Sequence, residues 1–149
     1  IDGVKKKRLQ IPVYMDAVET IARWCGKNIS VFLVPSNGVP ATVVKWFISY
    51  TSHGDLTQYF KNVFDTVSVG GPFTIYGTFP KLCKLIAQEP EQVMYITNSA
   101  IPAKIAKIEH LDVAICVPSS KKAIKAKEIL AECSLPLARS LIEISFTPL

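Results

Sequence analysis

No stretch of this sequence approaches the roughly 18 consecutive apolar residues that a helical membrane span requires, so a transmembrane helix is excluded on length alone. Histidine is nearly missing. His53 and His110 are the only two, and no third residue can be identified beside either to complete a triad or a metal site. The cysteines Cys25, Cys83, Cys116 and Cys133 are far apart and in apolar surroundings, which fits neither metal-ligand spacing nor a disulfide framework. That usage points to a reduced intracellular compartment, cytoplasmic or nuclear. Internal repeats, low-complexity tracts and linker-like segments are lacking as well. Ile1 is followed by a basic run rather than an apolar signal core, so the chain reads as a piece of something longer.

What is present is the composition of one globular domain over residues 1–149, with 49% hydrophobic and 19% charged residues. The net charge of +5 comes largely from Lys5, Lys6, Lys7 and Arg8 and from Lys121, Lys122, Lys125 and Lys127. Such clusters attract phosphates and nucleic acid. Without an accompanying aromatic or glycine-rich motif, a basic tail and a solvated helix face are the simpler reading.

Apolar residues recur at helical spacing from Met15 to Cys25, so a helix is expected over 14–26, followed by a buried strand from Ile29 to Val34. Val43, Val44, Phe47 and Ile48 outline a second helix, and Leu56, Tyr59, Phe60 and Val63 a third. A short strand near Thr66 to Val69 is expected to end at Gly70-Gly71-Pro72. Phe79, Leu82, Cys83 and Ile86 then mark a helix, Gln92 to Thr97 a strand, and Ile101, Ile105 and Ile108 a helix stripe. Asp112 to Val117 reads as a strand, a helix capped by Ser119 or Ser120 runs through Cys133, and Leu141 to Phe146 is a last strand. Helices alternating with strands predict an α/β fold with a mainly parallel sheet covered on both faces.

Ligands in such sheets bind beyond the carboxyl ends of the strands, which selects Ser36 to Gly38, Gly70 to Pro72, Asn98 to Ile101 and Pro118 to Ser120. These loops hold no carboxylate, histidine or cysteine, so acids, bases and nucleophiles are scarce where they are needed. Ser36, with the amides of Asn37 and Gly38, can hold an anion at a helix start, although Ser-Asn-Gly is also ordinary turn composition.

The run from Asp2-Gly3 through Ile11-Pro12-Val13-Tyr14-Met15-Asp16-Ala17-Val18 to Arg23-Trp24, and on to Ile29 to Gly38, resembles the enolase-phosphatase (acireductone synthase) family of the haloacid dehalogenase-like superfamily. His53-Gly54-Asp55-Leu56, Phe64-Asp65-Thr66, Val69-Gly70 and Met94 to Asn98 are similar to further landmarks of that family in the same order. The resemblance covers about residues 2 to 118. It implies a Rossmann-like three-layer sandwich of the haloacid dehalogenase type, here lacking the first strand and the cap.

The resemblance also implies a chemistry. A carboxylate on the first strand attacks phosphorus, a second acid protonates the leaving group, a hydroxyl and a lysine hold the phosphate, and acidic residues bind magnesium. Ser36 matches the hydroxyl. Gly71 or Pro72 stands in place of the lysine, Asn98 in place of the first magnesium ligand, and Pro102 where a further acid is expected. No nucleophile, metal ligand or cofactor is therefore expected in this chain, and the expectation is a non-enzymatic domain serving as an interaction or assembly module. A protein partner or self-association is expected, because the missing central strand leaves a slot to be filled by a partner, a second copy, the Leu141 to Phe146 segment or a rearranged sheet. Two alternatives stand beside it. One is an active magnesium-dependent enolase-phosphatase of methionine salvage completed by a missing N-terminal segment. The other is a nucleic-acid or phosphate-ligand binder using Lys5, Lys6, Lys7, Arg8, Lys121, Lys122 and Lys125.

Overall fold

In the computed structural model, which describes residues 10, 12–35, 38–116, 137–138 and 141–144, the chain divides into two units, 1–68 and 69–149. The first begins with helix α1, Met15–Gly26, which buries Thr20 and Trp24, one turn apart on one face. Strand β1, Phe32–Leu33, follows and pairs in parallel with β2, Asn62–Val63, Phe32 opposite Asn62 and Leu33 opposite Val63. The Ile29 to Val34 strand is thus shorter than its β-branched run suggests. Backbone bonds from Lys61 to Val31 and from Phe64 to Leu33, both 2.9 Å, lengthen the contact beyond the paired residues.

A parallel pair needs a crossover, and helix α2, Ala41–Ile48, begins it. None of its residues is buried, and Val43 and Phe47 are exposed. The helix expected on Leu56, Tyr59, Phe60 and Val63 is instead a single 3-10 turn, Thr57–Tyr59, leading into β2. Helical spacing loses here to pairing, because Val63 is buried opposite Leu33. The strand expected at Thr66 to Val69 is a one-turn helix, α3, spanning Thr66–Val69.

The second unit has helix α4, Thr78–Leu85, strand β3, Met94–Thr97, helix α5, Ala100–Ile108, and strand β4, Asp112–Cys116. Strand β5, Leu137–Ala138, completes a parallel sheet in the order β3-β4-β5. The last strand among the described residues therefore precedes Leu141; of the strand expected from Leu141 to Phe146, Leu141–Glu143 is a 3-10 turn and 145–146 lie outside the described residues. The helix expected between Ser119 and Cys133 lies outside the described residues. Every pair of strands among the described residues is parallel, as an α/β Rossmann-like fold requires.

Helix α5 buries Pro102, Ala103, Ile105 and Ala106, whereas Ile101 and Ile108 are exposed. The isoleucine stripe misleads because two alanines, each 0% exposed, form the contact face; side chains that small let the helix lie close to its neighbours. Phe79, also 0% exposed, sits with ring centroids 5.1 Å from Phe73 and 4.8 Å from Tyr95. Burial raises the Tyr95 hydroxyl pKa, a shift partly opposed by its hydrogen bond with Thr97.

Helices α1, α4 and α5 all stop the same way. The residue after each C-cap is left-handed, Asn28 at φ 61°, Ala87 at φ 56° and His110 at φ 72°. The next amide then closes on the carbonyl five residues back, as Ile29 to Trp24, Gln88 to Cys83 and Leu111 to Ala106, each at 3.0 Å. Of the three, Ala87 has neither the freedom of glycine nor the local hydrogen bonding of asparagine in this conformation. Ala87→Gly is therefore expected to stabilise the protein by about 0.5–1 kcal/mol in urea denaturation, and a lower midpoint would contradict the strain. Phe79→Ala is expected to cost about 3–5 kcal/mol in the same assay, and a loss below about 1 kcal/mol would mean that the aromatic cluster does not hold the unit together.

Candidate functional site

Each strand-end loop is placed by the crossover it opens. After β1 the chain runs through Val34 and Pro35 to Gly38, at φ 71°, and into α2; Ser36 and Asn37 lie outside the described residues. The start of α2 has no side-chain cap of its own, since its N-cap is Pro40. Asp65 supplies one from a distance: its Oδ2 accepts a hydrogen bond from the Ala41 amide at 2.8 Å. Its Oδ1 accepts from the Ser68 amide at 2.8 Å and the Ser68 hydroxyl at 2.9 Å, capping α3 as well. Three donors thus tie the starts of two helices to one carboxylate, and they, the Ala41 amide first, hold the Asp65 carboxyl at about 2 instead of 3.8.

The neighbouring landmark is also structural. Thr51 and Gly54 form a β-bridge, and Asp55 Oδ1 accepts from the Thr57 hydroxyl at 2.6 Å and its amide at 2.9 Å, which lowers the Asp55 pKa. His53 Nε2 lies 3.1 Å from the Val13 carbonyl oxygen and His110 ends α5, so both histidines serve the backbone.

In the second unit Gly70 takes φ 83°, and a Cβ on Gly71 would come 3.3 Å from Thr78 Oγ1 and 3.4 Å from Ile75 Cδ1, so both positions favour glycine. Thr78, buried, donates its hydroxyl to the Pro72 carbonyl at 2.8 Å and pins this turn to α4. Glu109 Oε1 accepts from the Gly77 amide at the start of α4, while its Oε2 is buried with no hydrogen-bond partner. Burial, with the Glu109 charge next, raises the Cys83 thiol pKa, which disfavours a reactive thiolate there. At the end of β3, Asn98 and Ser99 are exposed, the Ser99 amide donates to Thr97 Oγ1 at 3.1 Å, and Pro102 is buried in the first turn of α5. A proline is tolerated in that turn because its missing N–H would have no intrahelical acceptor.

Magnesium prefers anionic oxygens in a near-octahedral shell. Asn98 offers only a neutral amide oxygen and Pro102 no side-chain donor. Among the described residues no group of three or more His, Cys, Asp and Glu could hold a metal ion. The described residues do not fit a magnesium shell. The basic positions Lys5, Lys6, Lys7, Arg8, Lys121, Lys122, Lys125 and Lys127 and the loop Pro118 to Ser120 lie outside the described residues. No helix among the described residues is long and apolar enough to cross a membrane.

No protein-family model matches the chain. By fold it is similar to the UTR4 protein of Saccharomyces cerevisiae, with a TM-score of 0.75 at 15% identity over 96% of this chain and 62% of the other. A putative phosphoglycolate phosphatase of Lactobacillus delbrueckii follows at a TM-score of 0.65 and 11% identity, over 87% of this chain and 51% of the other. With its parallel α/β units, this likeness shows an α/β, Rossmann-like fold. In sequence it is enolase-phosphatase-like, a relationship within the haloacid dehalogenase-like superfamily. It is 32% identical over 98 residues to enolase-phosphatase E1 of Persephonella marina and 30% identical over 106 residues to that of Aquifex aeolicus. These matches take in 66% and 71% of this chain but only 41% and 46% of the relatives, so the chain spans less than half the length of the relatives it matches.

These relatives overturn the expectation of a non-enzymatic domain: they carry the name of an enzyme, and nothing in the structure shows inactivity. That expectation took groups missing from four loops as groups missing from a site. A phosphatase site draws on several elements, and less than half of such a protein is in view.

The Asp65 pair of caps is open to a direct test. Its carboxyl titrates near 2 when folded and near 3.8 when unfolded, so its contribution is complete above about pH 4 and is lost as the pH falls through about 2. Asp65→Ala is expected to lower the urea midpoint at pH 6, with the gap to the unsubstituted protein closing between about pH 4 and pH 2. A gap that stays constant over that range would contradict the assignment.

Proposed function

We propose that this chain is the phosphate-handling portion of an enolase-phosphatase, acting on a phosphorylated enol. The observation that carries the reading is the sequence likeness to enolase-phosphatases over about two-thirds of the chain. The structure supports it by giving the shared landmarks definite work: Asp65 ties together the starts of α2 and α3, and Gly70 makes the left-handed turn ahead of α4.

A phosphate monoester carries close to two negative charges near neutrality, and its site needs amide donors, hydroxyls and cations rather than further carboxylates. The loop after β3 has that character, with Asn98 and Ser99 at the start of α5, and so has the Gly70-Gly71 turn between α3 and α4. The attacking carboxylate and the acid for the leaving group are not in these loops. In this proposal they come from polypeptide outside the 149 residues, together with the acidic metal ligands that Asn98 and Pro102 do not supply. No step is assigned to the ion through residues of this chain.

The test is phosphate release from a phosphorylated enol by the full-length protein, purified folded and assayed with magnesium supplied. Turnover that stops on chelation of the metal is the expected result. A folded full-length protein that releases no phosphate would overturn the reading.

A further inference from the structure

Helix α2 is apolar over more of its surface than its own unit covers. Six of its eight residues are apolar and none is buried, whereas a helix that is apolar on most sides is normally an interior one. Val43, Trp46 and Phe47 stand at i, i+3 and i+4, and Tyr50, at i+7, continues their line just past the helix end. Val43 and Phe47 are exposed, and Trp46 and Tyr50 are half-buried. The Trp46 ring centroid lies 5.4 Å from that of Phe47 and 5.4 Å from that of Tyr50, so the three rings form one strip. Lys45, the only charged residue of α2, sits about half a turn round the helix from the middle of that strip.

The turn after α2 extends the surface. Ser52 Oγ accepts from the Val13 amide at 3.3 Å, and His53 Nε2 lies 3.1 Å from the Val13 carbonyl oxygen. These contacts bring the start of α1 to the same end of α2, and there Tyr14 is 68% and Met15 53% exposed. Single apolar residues on a surface need no explanation. Four aromatic side chains with a methionine and a valine, none of them charged, have the composition of an interface core.

The occupant has to present an uncharged face of its own, and a second copy of this chain does so. Residues 10–68 hold four basic and four acidic side chains, so two copies meeting on this side face no net repulsion, and Lys45 stays out of the contact. We infer that two copies of this protein pair through the α2 strip. Packed antiparallel about a two-fold axis, the helices set Val43 against Tyr50 of the other copy and Trp46 against its Phe47, each contact being made twice. A helix of two turns offers less than the about 800 Å² per partner of a stable interface, so the pairing is reversible, with a dissociation constant roughly in the micromolar range. It stands apart from the phosphatase reading, since no residue of the strip lies in the turns given to phosphate.

The experiment is sedimentation velocity on the folded full-length protein over a concentration series, alongside Phe47→Glu, Val43→Thr and Val67→Glu. Val67, 87% exposed elsewhere in the first unit, is the control. A reversible dimer is expected, its dissociation constant rising about ten- to a hundredfold in Phe47→Glu. Val43→Thr should weaken it severalfold, and Val67→Glu not at all. If Phe47→Glu does not keep the urea midpoint of the unsubstituted protein, Val43→Thr, close to valine in shape, carries the test. A protein that is monomeric throughout the series would overturn the inference, and Trp46 shielded from acrylamide in that monomer would assign the strip to polypeptide outside the 149 residues. A dimer unaffected by both α2 substitutions, or weakened equally by Val67→Glu, would overturn it too. Phosphate release measured on the same preparations tests the phosphatase reading separately, because its absence would leave the pairing untouched.

Discussion

Two parallel strands cannot be joined by a tight turn, and that constraint organises each unit of this chain. From Thr97 at the end of β3, the chain must travel back to Asp112 before it can pair, and α5 fills the return. From Leu33 to Asn62 the same requirement is met by α2 and the 3-10 turn after it. Each return begins at the carboxyl end of a strand, where backbone amides are free to meet a ligand. The chemistry a parallel unit can perform is therefore concentrated in its first few crossover residues.

Such crossovers leave helix starts that need capping. In the first unit one carboxylate serves two of them, since Asp65 holds both Ala41 and Ser68. In the second unit Glu109, just past the end of α5, accepts from Gly77 at the start of α4. Acidic residues that look available for catalysis are thus spent on backbone amides, and their charge helps the fold rather than a reaction. Gly54-Asp55 and Phe64-Asp65-Thr66, which resemble enolase-phosphatase landmarks, belong to this capping system.

The architecture was readable from the sequence where a signal was local and long enough. α1, α4 and β4 fall close to where apolar spacing puts them, because each buries one face and ends at a turn. The segment from 55 to 69 was misread because the apolar spacing of Leu56, Tyr59, Phe60 and Val63 fits a helix, while pairing with β1 draws Val63 into a strand. Thr66 to Val69 looked β-branched enough for a strand, but Asp65 caps it as a helical turn. On α5 the large isoleucines drew attention away from the alanines that make the contact. The candidate positions Gly71, Pro72, Asn98 and Pro102 were located by family likeness.

If this chain belongs to a phosphatase, the loop after β3 and the Gly70-Gly71 turn receive a phosphate group. The most direct measurement is a titration of the isotope-labelled protein with inorganic phosphate, followed by the chemical shifts of its backbone amides. Saturable shifts at Gly70 and Gly71 and at residues 98–100 are expected. Shifts confined to the lysine-rich segments, or none at all in a folded protein, would contradict it.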